Sequence, residues 1–279
     1  MIRILAIACA AIFSASAASA AEGTFEHKPY KHGHWHFSGV FGSYDKDALQ
    51  RGFQVYREVC ASCHGMELVS FRNLAQPGGP FYLEKCPEGA PANLDCSNPN
   101  DNPIVKALAA EYQVTDGPDD YGDMFQRPAT PADRIPSPFA NEQQARAANG
   151  GALPPDMSLL VKARHHGPDY IYSLLTGYGE EPKEGFELQA GLYYNPYFAT
   201  GALAMAQPLY DGMVDYKDMD ETGETVEQYS KDVVEFLTWA AEPKMEVRKQ
   251  MGFMVVAYLL LFTGILYWSY RKVWANVEH

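Results

Sequence analysis

Apolar residues recur at helical spacing in two stretches of the chain. Leu49, Phe53, Tyr56 and Cys60 share one stripe at steps of four, three and four, behind Asp45 or Asp47 as a helix cap. Val226, Tyr229, Val233, Phe236, Leu237 and Ala240 form a second stripe behind Thr225, with Gln228 placed as the return partner of a capping box. Pro243 ends or bends that helix. Ile104 to Tyr112 and Tyr170 to Leu175 read as shorter helices. Strand alternation is scarce, so the pattern predicts an all-α fold with long irregular loops rich in Pro and Gly.

Two uninterrupted apolar runs lie near the ends. Arg3, the run Ile4 to Phe13 and the small residues Ala18-Ser19-Ala20 read as a cleaved export leader over 1–21. That run is too short to cross a bilayer, which takes about 20 residues. Met251 to Tyr270 carries no charge and is flanked by Arg248 and Lys249 before it and by Arg271 and Lys272 after it, so 245–272 reads as one transmembrane anchor helix. Tyr267, Trp268, Tyr270 and Trp274 gather at its far end, as interfacial aromatics do. Both flanks are basic, so charge does not orient the helix. The leader does, placing 22–244 outside the cytoplasm and the tail 273–279 inside.

The formal net charge is −13, and loss of Arg3 with the leader makes it one unit more negative. A chain this acidic disfavours nucleic acid and attracts cationic partners. Asp116, Asp119, Asp120 and Asp123 form one acidic cluster; Asp211, Asp215, Asp218, Asp220, Glu221 and Glu224 form another. Each reads as a docking surface or as a solvated loop. Of five cysteines, Cys9 leaves with the leader, and Cys86 and Cys96 make an even pair in an oxidising compartment. A disulfide between them would staple the Pro-, Gly- and Asn-rich segment from Pro77 to Pro103, contributing roughly 3 kcal/mol.

The candidate chemistry lies in Cys60-Ala61-Ser62-Cys63-His64. Two thiols at this spacing followed by an imidazole form the attachment signature of a c-type haem: the sulfurs reach two vinyl groups, and the histidine ligates iron. A zinc site would need a second pair at similar spacing, which Cys86 and Cys96 do not supply. A thioredoxin-like motif would need strands around it. The sixth iron ligand separates electron transfer from catalysis at an open iron, as in a membrane-anchored peroxidase or nitrite reductase. Met66, Met124, Met157, Met205, Met213, Met219, His165 and His166 are the candidates, with Met66 too near His64 to reach the opposite face. His27, His32, His34 and His36 form an N-terminal cluster that reads as a solvated, poorly ordered arm ahead of a metal site.

Further stretches carry a resemblance. Arg51 to Tyr56 with Cys60 to His64, Ala147 to Asp156, Lys162 to His165, Asp169-Tyr170, Gly191 to Tyr197 and Trp239 to Pro243 occur in one order over most of the chain. With these the sequence resembles the cytochrome c1 family, the haem subunits of the ubiquinol:cytochrome c reductase (cytochrome bc1) complex. The resemblance implies one covalent haem c, Met205 as distal ligand to the iron opposite His64, Arg164 and Tyr170 beside a haem propionate, and Pro154 and Pro155 in a loop packed on the haem. It also implies the bacterial inner membrane with the haem domain in the periplasm, a dimeric complex with cytochrome b and a Rieske iron-sulfur protein, and a cationic or anchored c-type cytochrome as acceptor. Gln207 stands where the family usually has the first of two prolines after the ligand methionine.

Overall fold

Asp45 starts the first helix, α1 (Lys46–Glu58), by accepting hydrogen bonds from the N–H groups of Asp47 and Ala48. The computed structural model describes residues 25–91, 93–217 and 223–276. The expected leader, Cys9 and the acidic residues Asp218, Asp220 and Glu221 lie outside the described residues, as does Met219. Five more helices follow among those described: α2 (Pro103–Ala110), α3 (Glu142–Ala148), α4 (Gly167–Leu175), α5 (Val226–Ala241) and α6 (Met245–Val273). Two antiparallel ribbons interrupt them, β1 (Gln113–Asp116) with β2 (Phe125–Pro128) and β3 (Tyr193–Tyr194) with β4 (Ala202–Leu203). The architecture is therefore mostly helical, with long irregular connections, as the apolar pattern predicts.

α1 lies against α5, and the two backbones approach at a glycine. A Cβ on Gly52 would come within 2.0 Å of the Asp232 carbonyl oxygen. Leu49, Phe53, Phe236 and Leu237 are buried at this contact, each contributing about 1.5–3 kcal/mol of transfer free energy. α5 is buried along nearly its whole length because α1, α4 and the 209–216 loop surround it. Thr225 caps it by accepting from the Gln228 N–H. The expected return bond of a capping box is absent, because the Gln228 side chain turns to Asp232 instead.

The N-terminal segment is a packed strap, which corrects the expectation of a solvated arm. Lys31 donates its backbone N–H to Ser173 Oγ and its ammonium to Thr176. Gly33 N–H and Trp35 Nε1–H both donate to Asp169 Oδ1 on α4. Trp35 stacks on Phe37, which meets Tyr44, and Tyr44 N–H donates to Glu246 on α6. Odd-numbered residues here face inward while His32, His34 and His36 stay exposed. His32 lies 2.8 Å from Asp169 and His36 3.3 Å from Glu235.

Cys86 and Cys96 are joined by a disulfide, their Cα atoms 5.1 Å apart. α6 leaves the domain at Met245, which is buried, and carries its apolar side chains exposed all round. Among the described residues it is the helix long and apolar enough to cross a membrane.

Candidate functional site

α1 ends at Glu58, and the haem-attachment motif sits on the following 3₁₀ turn, Cys60–Ser62, rather than continuing the α-helix. The N–H groups of Cys63 and His64 both donate to the Cys60 carbonyl, at 3.1 and 2.9 Å. This turn holds two free thiols close together beside the core. Burial pushes the Cys60 thiol up to about 12, with the neighbouring Cys63 sulfur adding to the shift.

His64 is buried, with one ring nitrogen and its backbone carbonyl both held. Nδ1 lies 2.8 Å from the Pro155 carbonyl, which only accepts, so Nδ1 carries the proton and Nε2 keeps its lone pair. Burial lowers the pKa of the ring and the Pro155 carbonyl opposes that shift; the net direction is down, toward the neutral imidazole that ligates metal. Tyr56, buried on α1, donates its hydroxyl to the His64 carbonyl at 3.2 Å.

The 154–158 loop is laced to the segment after His64. Met157 N–H donates to the Gly65 carbonyl at 2.8 Å. Asp156 accepts from the N–H groups of Glu67 and Ser158, and Ser158 Oγ accepts from Leu68 N–H. Pro154 is half-buried and Pro155 exposed. Met66 and Met157 are both buried in the core cluster, as filler.

Arg164 and Tyr170 are brought together. The exposed guanidinium lies beside the half-buried phenol; burial raises the phenol pKa and Arg164 opposes the rise. His166 takes a left-handed backbone, φ 56°, to start α4, because Gly167 passes so close to Val161 that a Cβ would come 2.3 Å from its carbonyl. His165 and His166 are both exposed. Tyr30 of the strap meets Tyr170 edge-on with ring centres 5.4 Å apart.

Met205 follows β4 and is half-buried against the margin of the same core cluster that Cys60 and Tyr170 adjoin. Tyr178 donates its hydroxyl to the Met205 carbonyl at 2.9 Å, fixing the backbone of this loop. Met124 and Met213 are largely exposed. Among the described residues no hydrogen bond joins the Met205 loop to the Cys60–His64 turn. The supports that sequence reasoning missed are Tyr178, Asp156 and Ser158: each is a single polar residue in a loop, and nothing local marks its distant partner.

The donor set suits a covalently attached haem. It offers two free thiols on one turn and a buried imidazole with one nitrogen committed to a carbonyl. A half-buried thioether and a cation paired with a phenol lie on other elements. Among the described residues no group of three or more His, Cys, Asp or Glu side chains gathers as a separate metal-ion site.

A family model described as the Cytochrome C1 family matches residues 35–277. Among similar proteins, one named cytochrome b/c1 from Bradyrhizobium diazoefficiens is 45% identical over 99% of this chain, which spans only 40% of that relative's length. Cytochrome c1 from Rhodospirillum rubrum is 45% identical over 88% of this chain and 87% of its own. Mitochondrial cytochrome c1-2 from Solanum tuberosum is 49% identical over 81% of this chain and 78% of its own.

Proposed function

The chain belongs to the cytochrome c1 family, whose members carry one covalently bound c-type haem, and from that premise we propose that it is the haem subunit of a cytochrome bc1 complex. In this reading it accepts an electron from the Rieske iron-sulfur protein and passes it to a c-type cytochrome. The bound haem supplies one-electron exchange between ferrous and ferric iron. Cys60 and Cys63 would hold the porphyrin, His64 Nε2 and the Met205 sulfur would ligate the iron, and Arg164 with Tyr170 would partner a propionate. Pro154 and Pro155 shape the loop whose carbonyl orients His64. With His64 and Met205 both committed to the iron, the chain would make or break no substrate bond, and quinol oxidation would belong to the partner subunits.

The observation that carries this reading is the His64 Nδ1 to Pro155 carbonyl contact at 2.8 Å. A structural histidine has no need of a fixed tautomer with its other nitrogen left bare; an iron ligand does. The name cytochrome b/c1 of one relative supports cytochrome b as a partner. The transmembrane helix supports a single-pass anchor. The reading adds a cleaved leader over 1–21, the 22–244 domain in the periplasm of a bacterial inner membrane, and membership of a dimeric complex.

Met205→Leu tests the ligand set. The oxidised variant should lose the charge-transfer band of a thioether-ligated haem, and its ferrous form should gain CO binding. An unchanged spectrum would move the role to another residue. CO binding by the unaltered protein would favour the rival reading, a haem enzyme with an open iron. Purification of the chain without cytochrome b and a Rieske protein would remove the complex from the proposal.

A further inference from the structure

We infer that the tight turn between Phe37 and Ser43 is a second membrane contact of this chain, a wedge whose Val40 and Phe41 sit in the lipid interface beside the transmembrane helix. Phe41 is 85% and Val40 68% exposed, two adjacent large apolar side chains left open among the described residues. One exposed hydrophobic residue needs no explanation. The position of this pair does.

Both feet of the turn are fastened to α6. Lys249 donates its ammonium to the carbonyls of Phe37 at 2.7 Å and Gly42 at 2.9 Å. Lys249 is two residues before the uncharged stretch that begins at Met251. The Phe41 ring lies 6.3 Å, centre to centre, from that of Phe253. At about 1.5 Å rise per residue, Phe253 stands roughly 3 Å past the start of that stretch. Phe41 is thus level with the beginning of the hydrocarbon, beside a helix whose apolar span is exposed among the described residues.

The turn also suits the lipid interface, where apolar side chains can enter while backbone stays in contact with water and headgroups. Residues 38–43 carry no charge. Ser38 N–H donates to Trp35 and Ser43 N–H to His36, while Lys249 holds the carbonyls of Phe37 and Gly42, so both ends of the turn are satisfied and the backbone of its tip is left for interfacial water and headgroups. Gly39 has φ +76°, and a Cβ on Gly42 would come 2.1 Å from the Ser38 carbonyl, so the two glycines allow the sharp tip. The stacked Trp35 and Phe37 hold it rigidly on the domain. Lipid is the occupant because the pair continues the lipid-facing surface of α6. Two side chains also fall far short of the about 800 Å² per partner of a specific protein interface.

The cysteines of the exported chain are committed to haem or disulfide, which leaves single-site nitroxide labelling clean. Val40→Cys is to be labelled in the full haem-loaded chain, in nanodiscs of phosphatidylcholine and phosphatidylglycerol, and again in the assembled complex. Leu260→Cys serves as mid-span reference and Tyr121→Cys as the water-exposed one. Collision with oxygen should exceed collision with a water-soluble nickel chelate several-fold at position 40, as at 260. A ratio like that at 121 overturns the inference. Low access to both reagents in the complex also overturns it, by showing that a protein partner covers the turn. Phe41→Cys supplies a second label at the same tip. An intact haem spectrum in these variants keeps a failure here distinct from a failure of the proposed electron-transfer role.

Discussion

Arg51 meets Asp232 through two hydrogen bonds of 2.9 Å, Nε to Oδ2 and Nη2 to Oδ1, inside the contact between α1 and α5. Asp232 is almost wholly buried and also accepts from the Tyr216 hydroxyl and the Gln228 amide. One carboxylate therefore ties together the helix that delivers the haem motif, the helix before the anchor and the loop between them. Asp232→Ala would take this bidentate carboxylate from a largely buried cation and from Tyr216 and Gln228, and should cost about 3–5 kcal/mol of unfolding free energy. The double variant Arg51→Met, Asp232→Leu should lose far less, since no uncompensated charge remains. Denaturant unfolding of the pair measures both. A single-variant loss under about 1 kcal/mol would mean that water reaches the site.

The sequence reveals most where the physics is local. Asp45 and Thr225 announce their helices because a capping side chain bonds N–H groups two and three residues on. The stripe Leu49, Phe53, Tyr56 marks the buried face of α1 for the same reason of short spacing. The start of α4 is misread at Tyr170, because the turn at His166 and Gly167 is set by contact with Val161. α3 is too short to show a stripe, and the β1–β2 ribbon is exposed on both faces, so neither carries a periodic signal. The strap escapes notice because its partners, Asp169, Ser173 and Glu235, lie more than a hundred residues away. The Cys60–His64 turn is legible, while the carbonyl that orients its histidine belongs to a distant loop and has no side-chain signature.

Glu235 gives the domain a pH dependence with a definite sign. Its carboxyl is held above its usual value of 4.5 chiefly by burial, with the Asp45 carboxylate adding, against hydrogen bonds from Asp45 N–H and His36. A group raised in the folded state stabilises the fold while protonated. That contribution is complete below about pH 4.5 and is lost as pH rises through the folded value. Glu235→Gln keeps an oxygen for the Asp45 N–H and carries no charge. It should be more stable than the parent at pH 8 and approach parity with it in acid, as read from unfolding free energies across that range. A difference that stays flat with pH would show that His36 fully offsets the cost of burial.

Cys86 and Cys96 close a short loop within a segment that has little regular structure. Replacing both by serine should lower unfolding free energy by roughly 2–3 kcal/mol on the chain-entropy argument. Leu94 and Asn102 lie in or near this loop, and Asn102 caps α2 while donating to the Phe81 carbonyl, so loosening should spread to α2. Amide exchange should quicken over 81–110 with the haem spectrum unchanged. Exchange that quickens first around Cys60 to His64 would show that the staple supports the site directly.

The acidic surface separates into residues with structural duties and residues available for steering. Asp116 is paired with Arg127 across the β1–β2 ribbon, and Arg127 also grips Asp133. Asp119 accepts from the N–H groups of Tyr121 and Asp123, shaping the tip of that ribbon. In the second cluster Asp211 accepts from Val226 N–H at the start of α5, and Glu224 from Tyr216 N–H. Asp120 and Asp123 have no such task among the described contacts, and both are exposed. If a cationic cytochrome is the acceptor, its second-order rate of oxidation of this chain should fall steeply with ionic strength, because exposed charges are screened beyond about 8 Å at physiological salt. Asp120→Asn with Asp123→Asn should slow that reaction several-fold at low salt and little at high salt. Asp116→Asn should instead loosen the ribbon, quickening its amide exchange with a smaller kinetic effect. Stopped-flow rates that are flat in salt would reject steering by this surface and favour a membrane-anchored acceptor, held near the haem domain by its own tether.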